Sequence, residues 1–255
     1  MDIEDSVIEE RVKRFSRPRI IEHWTHVLTF SVLVCTGLSQ KFYSLDVSQW
    51  IILHLGGIDN VRLIHRVTGL LFSLEIITHL AIIAIGIIYF QWQPSMLITK
   101  KDFTDVVHNI KYYLGLENAP TGGGRFTYKQ KFEYWGILTG VLLMMFTGMT
   151  LWFPAVVTKF LPGEIIPAAK VLHTNEAFVV FLIIAIWHIY SAIFSPEVFP
   201  LDTSMFTGYL SKTRMLREHP DELASMEEKP WENDESYPDT LRSQRQEERV
   251  VERRQ

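Results

Sequence analysis

The sequence predicts an all-α membrane protein: a bundle of four transmembrane helices with its N and C termini in the cytoplasm. The apolar residues gather into four long runs, whereas residues 201–255 are almost entirely polar. Tryptophans lie near the ends of these runs, as is typical of the membrane–water interface. Lysines and arginines are concentrated in alternate connections. These observations favour a multi-pass membrane protein over a soluble helical one.

Each run has the length of a membrane-spanning helix, for which roughly 20 residues suffice. We expect the spans at about Ile20 to Phe42, Ile64 to Phe90, Phe132 to Phe153 and Val171 to Phe194. The positive-inside rule then assigns the Lys- and Arg-rich segment 1–19, and the basic connection between spans two and three, to the cytoplasm. The chain is thus predicted to comprise a cytoplasmic segment 1–19, a membrane domain 20–200 and a charged cytoplasmic tail 201–255. No repeat of 20–50 residues is visible.

Two connections are predicted to be structured. Residues 48–58 are expected to lie along the outer membrane surface. Residues 102–114 form a short amphipathic pattern that is typical of a helix at the inner surface, with Asp102 or Thr104 as its N-cap.

Composition excludes several kinds of protein. The single cysteine, Cys35, rules out an internal disulfide, a four-cysteine zinc site and an iron–sulfur cluster of the chain's own. It also rules out covalently attached c-type haem. The net charge of −4 gives no reason to expect nucleic acid as a partner.

The histidines carry the functional signal. There are nine, most of them in or at the ends of spans, where an ionisable residue is costly and usually functional. His173 and His188 lie 15 residues apart in span four, which is about 22 Å along a helix, with side chains within about 60° of one direction. One helix can therefore offer imidazoles to two b-type haems, one near each membrane face.

Each haem needs a second imidazole at the same depth. His65, which opens span two, matches His173 at the outer level. The residues alone leave two partners for His188 at the inner level, His23 and His79. The plainer alternative is that these histidines only make hydrogen bonds between helices.

Glu75 lies four residues before His79 on the same helix face. Three roles are open for this carboxyl group: a structural hydrogen bond, orientation of His79 as a haem ligand, or a proton relay for a quinone. His108 and His219 are expected to be solvated. The basic residues beside the outer pair, Arg62, Arg66 and Lys170, are candidates for neutralising haem propionates.

Four stretches resemble a known family: HWTHVLTFSVLVCTG (23–37), IHRVTG (64–69), RFTYKQKFEYWGILTGVLLMMFTGMTLW (125–152) and LHTNEAFVVFLIIAIWHIYSA (172–192). Over roughly residues 15–200 the chain is similar to the di-haem cytochrome b (gamma) subunit of membrane-bound formate dehydrogenases and to the related nickel–iron hydrogenase cytochromes b. This resemblance implies two haem b groups with the axial pairs His65–His173 and His23–His188. It therefore favours His23 over His79.

The resemblance also implies a function. The chain would transfer electrons between a partner redox subunit and a membrane quinone, menaquinone or ubiquinone, in the cytoplasmic (inner) membrane of a bacterium or archaeon. The partner would be an iron–sulfur protein, a molybdenum enzyme, a hydrogenase or a multihaem cytochrome c, and lipid would surround the bundle. The family's quinone pocket corresponds here to the loop RFTYKQK, with Thr127, Lys129 and Gln130 as candidates.

Two other functions compete with this hypothesis. A haem-free membrane transporter or assembly anchor would have the same spans. A stand-alone quinol-oxidising enzyme is less favoured, because the sequence contains neither a nucleotide motif nor a second redox centre.

Overall fold

The structure is a computed structural model that describes residues 10–196 and 198–228. In chain order its elements are β1 (Arg11–Lys13), α1 (Arg17–Lys41), α2 (Asp46–His54), α3 (Ile58–Phe90), α4 (Lys100–Tyr113), α5 (Tyr128–Trp152), α6 (Pro154–Val157), α7 (Ile165–Leu182), α8 (Ser204–Thr207), β2 (Tyr209–Ser211), α9 (Lys212–Glu218) and α10 (Pro220–Glu228). α7 continues as π-helical turns over Ile183–His188 and Tyr190–Phe194. The predicted polar stretch 229–255 and residues 1–9 lie outside the described residues.

The chain divides into two compact units. The helical unit contains residues 15–94 and 132–208, and the peripheral unit contains the described parts of 1–14, 95–131 and 209–255. The connection between spans two and three therefore groups with the two terminal segments of the sequence.

Three helices of the described chain are long and apolar enough, by length and composition, to cross a membrane: Ile58–Phe90, Tyr128–Trp152 and Ile165–Phe194. α1 has 25 residues, but Glu22, His23 and His26 make its first half more polar. The first of the four predicted spans therefore stays a prediction.

The helical unit has a polar interior and an apolar exterior. Its buried side chains include Thr29, Thr36, Ser39, Thr147 and Thr150. Threonine and serine hydroxyls of this kind donate to the backbone carbonyl four residues earlier, as Thr36 does to Val32 at 2.7 Å. Many leucines and isoleucines are exposed instead. This inversion is expected for helices whose outer faces contact lipid and whose inner faces hold polar groups.

A small apolar cluster packs α3 against α5. It consists of the buried residues Ile76, Leu138 and Val141, with Phe72 and Met145 packed against them. The helices of the unit are antiparallel neighbours, because residues near the start of one contact residues near the end of the next.

The peripheral unit is built around a two-stranded antiparallel sheet, in which Arg11 pairs with Ser211. Leu210, Met215 and Leu223 form its buried core. Met215 is fully buried, so the apolar residues after the last span hold part of the tail in place.

The N-cap of α4 is not one of the two residues that the sequence predicted. α4 begins at Lys100 with Thr99 as N-cap, not with Asp102 or Thr104. The Asp102 carboxylate accepts hydrogen bonds from the Thr99 amide at 2.6 Å and from the Lys131 ammonium at 2.9 Å. Asp102 therefore satisfies the helix start from inside the first turn, as the acidic partner of a capping box does.

Candidate haem-binding site

The outer pair brings together the two histidines that the sequence matched by depth. The rings of His65 in α3 and His173 in α7 have their centroids 6.3 Å apart. Each Nδ1 hydrogen-bonds a threonine hydroxyl on the preceding long helix, His65 to Thr36 at 2.8 Å and His173 to Thr147 at 2.9 Å. With Nδ1 engaged, Nε2 is the nitrogen left to bind a metal.

A glycine follows each of these threonines and lies against the ring. A Cβ added at Gly37 would be 3.2 Å from Cε1 of His65, and one at Gly148 would be 3.2 Å from Cε1 of His173. These distances are tighter than ordinary contact. Each imidazole thus approaches the neighbouring helix at a glycine, which has no side chain to obstruct the ring.

A second pair lies at the other end of the helical unit. The ring centroids of His23 in α1 and His188 in the π-helical part of α7 are 6.2 Å apart. The His188 Nδ1 lies 2.7 Å from Oε1 of Glu133 in α5. The inner pair therefore has a carboxylate partner where the outer pair has two hydroxyls.

The other candidate for the inner level, His79, has both ring nitrogens engaged by described residues. Its Nδ1 contacts the Glu22 carboxylate, and its Nε2 lies 3.0 Å from the Tyr134 hydroxyl. Glu75 does not contact His79. Its carboxylate accepts a hydrogen bond from Thr29 at 3.1 Å and lies 3.7 Å from Nδ1 of His26.

The helical unit contains one pattern twice, first in α1 and α3 and again in α5 and α7, which we call its two halves. Glu22-His23-Trp24 and Glu133-Tyr134-Trp135 are each followed, after 11 residues, by a Thr-Gly pair. In both halves the glutamate and the threonine contact two histidines on the next long helix. Those histidines are 14 residues apart in α3 and 15 in α7, where the π-helical turns accommodate the extra residue.

The paired histidines fit haem better than a bare metal ion. The described chain has no group of three or more His, Cys, Asp or Glu residues that could hold a metal ion. Haem iron needs only two protein ligands, because the porphyrin supplies the other four. Imidazole nitrogens bind metals at about 2 Å, so two rings on opposite sides of one iron have centroids about 6 Å apart. Both pairs match this separation.

The residues predicted to neutralise the haem propionates lie in the helical unit. Arg62 is exposed and pairs with Asp59 at 3.3 Å, while the Arg66 guanidinium lies 6.0 Å from the ring centroid of Trp152. The Lys170 carbonyl accepts a hydrogen bond from the Thr174 hydroxyl.

The quinone candidates lie in the peripheral unit. The Thr127 amide donates to the Gln130 side chain at 3.0 Å, and the Lys129 ammonium donates to the Tyr113 hydroxyl at 3.1 Å. These contacts are local ones at the start of α5 and with α4.

Sequence reasoning missed the residues that hold the histidines: Glu22, Glu133, Tyr134, Thr36 and Thr147. Their signal was the repeated Glu-x-Trp and Thr-Gly pattern, whose two copies are 111 residues apart. His219 was also predicted wrongly. It is 1% exposed and donates from Nδ1 to the Gly124 carbonyl at 2.8 Å.

Long apolar helices with paired histidines between them are the features of a membrane-bound cytochrome b. A family model described as prokaryotic cytochrome b561 matches residues 14–208, and the chain belongs to this family. Family membership implies that it binds haem b. With its three apolar helices, the chain is a membrane protein of the bacterial inner membrane.

Curated relatives agree with this assignment. The formate dehydrogenase cytochrome b556(fdo) subunit of Escherichia coli is 24% identical over 214 residues, covering 83% of this chain and 91% of the relative. The nitrate-inducible formate dehydrogenase cytochrome b556(Fdn) subunit of E. coli is 22% identical, covering 78% of this chain and 83% of the relative. The formate dehydrogenase cytochrome b556 subunit of Haemophilus influenzae is 27% identical, covering 72% and 71%.

Proposed function

We propose that this chain is the di-haem, quinone-reactive membrane subunit of an oxidoreductase complex, transferring electrons between a partner redox subunit and the quinone pool. The observation that carries the proposal is the presence of two histidine pairs, with ring centroids 6.3 and 6.2 Å apart, at opposite ends of the helical unit. With a haem at each pair, the bundle would hold one electron carrier near each of its ends, as electron transfer across a membrane requires.

In this proposal His65 and His173 hold the outer haem, and His23 and His188 hold the inner one. Thr36 and Thr147 fix the rings of the outer pair through Nδ1 and leave each Nε2 for iron. When bound, the haems supply one-electron oxidation and reduction at two depths in the membrane. The protein contributes their positions and the exclusion of water.

The choice of His23 over His79 is supported by two contacts. His23 faces His188 at the separation that a shared iron needs. The Nε2 of His79 is instead taken by Tyr134 at 3.0 Å, which is too short for an iron between the two side chains, because two ligand atoms of one iron lie about 4 Å apart.

Further roles follow from charge and chemistry. Arg62, Arg66 and Lys170 would neutralise propionates of the outer haem. Thr127, Lys129 and Gln130 would offer hydrogen bonds to a quinone carbonyl. Glu75, a carboxyl group within a predicted span, is the candidate for relaying protons to the quinone, and its hydrogen bond with Thr29 also fits a structural role.

The relatives support one kind of partner. They are subunits of formate dehydrogenases, so we propose a molybdenum enzyme, acting through an iron–sulfur subunit, as the redox partner.

The haem content of the purified chain tests the proposal. A pyridine haemochrome assay should give about two haem b per chain, because two histidine pairs bind one haem each. One haem or none would reject the di-haem assignment. A chain without any haem would instead support the haem-free transporter or anchor.

A further inference from the structure

The two histidine pairs differ in the groups that hold their Nδ1 atoms. The outer histidines both face neutral threonine hydroxyls, at 2.8 and 2.9 Å. At the inner level His188 faces the Glu133 carboxylate at 2.7 Å. The Glu133 side chain is only 15% exposed, so water screens its charge weakly. The difference is one of charge and not only of geometry.

A carboxylate changes the ligand that it holds. By accepting the Nδ1 proton it fixes the tautomer and the ring orientation, and it makes Nε2 a stronger electron donor. Stronger donation and a nearby negative charge both stabilise the oxidised iron more than the reduced iron. A hydroxyl does the same far more weakly, because its hydrogen bond is not charge-assisted.

We propose that Glu133 is a positioning residue that orients His188 and lowers the midpoint potential of the inner haem. This inference rests on the proposed function, specifically on His188 as an inner haem ligand. Glu133, which is not itself a ligand, would then set the difference in midpoint potential between the two haems.

The repeat supplies a matched control. Glu22 occupies the position of Glu133 in the first half and contacts Nδ1 of His79 in the same way. The His79 Nε2, however, is bonded to Tyr134. Glu22 is thus a carboxylate at the same level whose histidine holds no iron in this scheme.

The test is a spectroscopic redox titration of the purified full-length chain at one pH. The inner component is identified as the one that remains in His65→Ala. Glu133→Gln removes the charge and keeps a hydrogen-bond acceptor, so we expect the inner midpoint potential to rise and the outer one to stay unchanged. Glu22→Gln should move the inner potential clearly less.

Three results would overturn the inference: an unchanged inner potential in Glu133→Gln, an equal shift in Glu22→Gln, or an equal shift of both haems. If Glu133→Gln does not retain the inner haem, the shorter neutral variant Glu133→Asn replaces it. That variant also removes the charge, so a retained haem with a raised potential supports the inference, whereas an unchanged potential overturns it. A wild-type chain with fewer than two components refutes the proposed function instead.

Discussion

At the residue scale, the sequence singled out the histidines that we propose as ligands, but not the residues that hydrogen-bond them. His65, His173 and His188 stood out because an imidazole within an apolar run is costly without a role. Glu133 did not stand out, because it lies at the predicted start of span three, where a carboxylate is normally solvated. The structure instead places Glu133 against His188 on the next long helix, with its side chain only 15% exposed.

The choice between His23 and His79 as the second ligand of the inner haem gives the sharpest prediction at the residue scale. His23→Ala should lose the inner haem, because it removes one of the two imidazoles that we propose as its iron ligands. His79→Ala should keep both haems, since Tyr134 and Glu22 are the contacts it loses. Reduced-minus-oxidised spectra of the two variants measure this. Loss of the inner haem in His79→Ala alone would reverse our assignment.

The glycines beside the outer histidines give a second prediction. In Gly148→Ala the new Cβ would lie 3.2 Å from Cε1 of His173, so the ring must move. We expect a loss of about 1–3 kcal/mol of stability, as for other overpacked sites, and a weakened or altered outer haem spectrum. Gly136→Ala is the control, because its Cβ meets no atom within 4 Å. Equal behaviour of the two variants would contradict the packing argument.

At the element scale, the apolar runs predicted the long helices well. Spans two, three and four correspond to α3, α5 and α7 with its π-helical continuation. The predictions missed helix ends outside the apolar runs: α3 begins at Ile58, before the predicted Ile64. The π-helical turns of α7 were also missed, because composition does not distinguish them from regular helical turns.

The peripheral unit should respond to acid through His219. Burial, aided by the Arg14 guanidinium, lowers the pKa of His219 to about 4. The pKa of a histidine in the unfolded chain is about 6.5, so folding favours the neutral ring. The stability that this preference contributes is fully present above pH 6.5 and is lost as the pH falls towards 4. The loss is roughly 3 kcal/mol at most.

Hydrogen exchange of the amides in 209–228, measured between pH 7.5 and pH 4.5, checks this. Protection should fall with pH in the wild type. Glu222 opposes the trend, because burial raises its pKa. The difference between wild type and His219→Gln therefore isolates the histidine. A variant with the same pH profile as the wild type would show that His219 is not the sensitive group.

At the scale of the whole molecule, orientation in the membrane was predicted from lysines and arginines alone. It implies that residues before α1 and between α3 and α5 face the cytoplasm, while α2 lies outside. The same arrangement requires α1 to cross the membrane although it is the most polar of the long helices. Several of its polar side chains contact α3: Glu22 contacts His79, Thr29 contacts Glu75 and Thr36 contacts His65.

Single cysteines in a Cys35→Ser chain test this topology. Glu10→Cys and Asn118→Cys should react with an impermeant thiol reagent only from the cytoplasmic side, and Gln49→Cys only from the outer side. The readout is labelling in right-side-out and inverted vesicles. If Gln49→Cys and Glu10→Cys react from the same side, α1 does not cross.

The repeated pattern relates the two halves of the helical unit. Exchanging the halves maps α1 onto α5 and α3 onto α7, and it maps His65 onto His173. The same exchange maps His23–His188 onto Tyr134–His79. Tyr134 thus stands where the other half has a histidine, and its hydroxyl lies 3.0 Å from Nε2 of His79. The internal two-fold pattern breaks at this residue, so the two halves of the bundle place different side chains at the inner level.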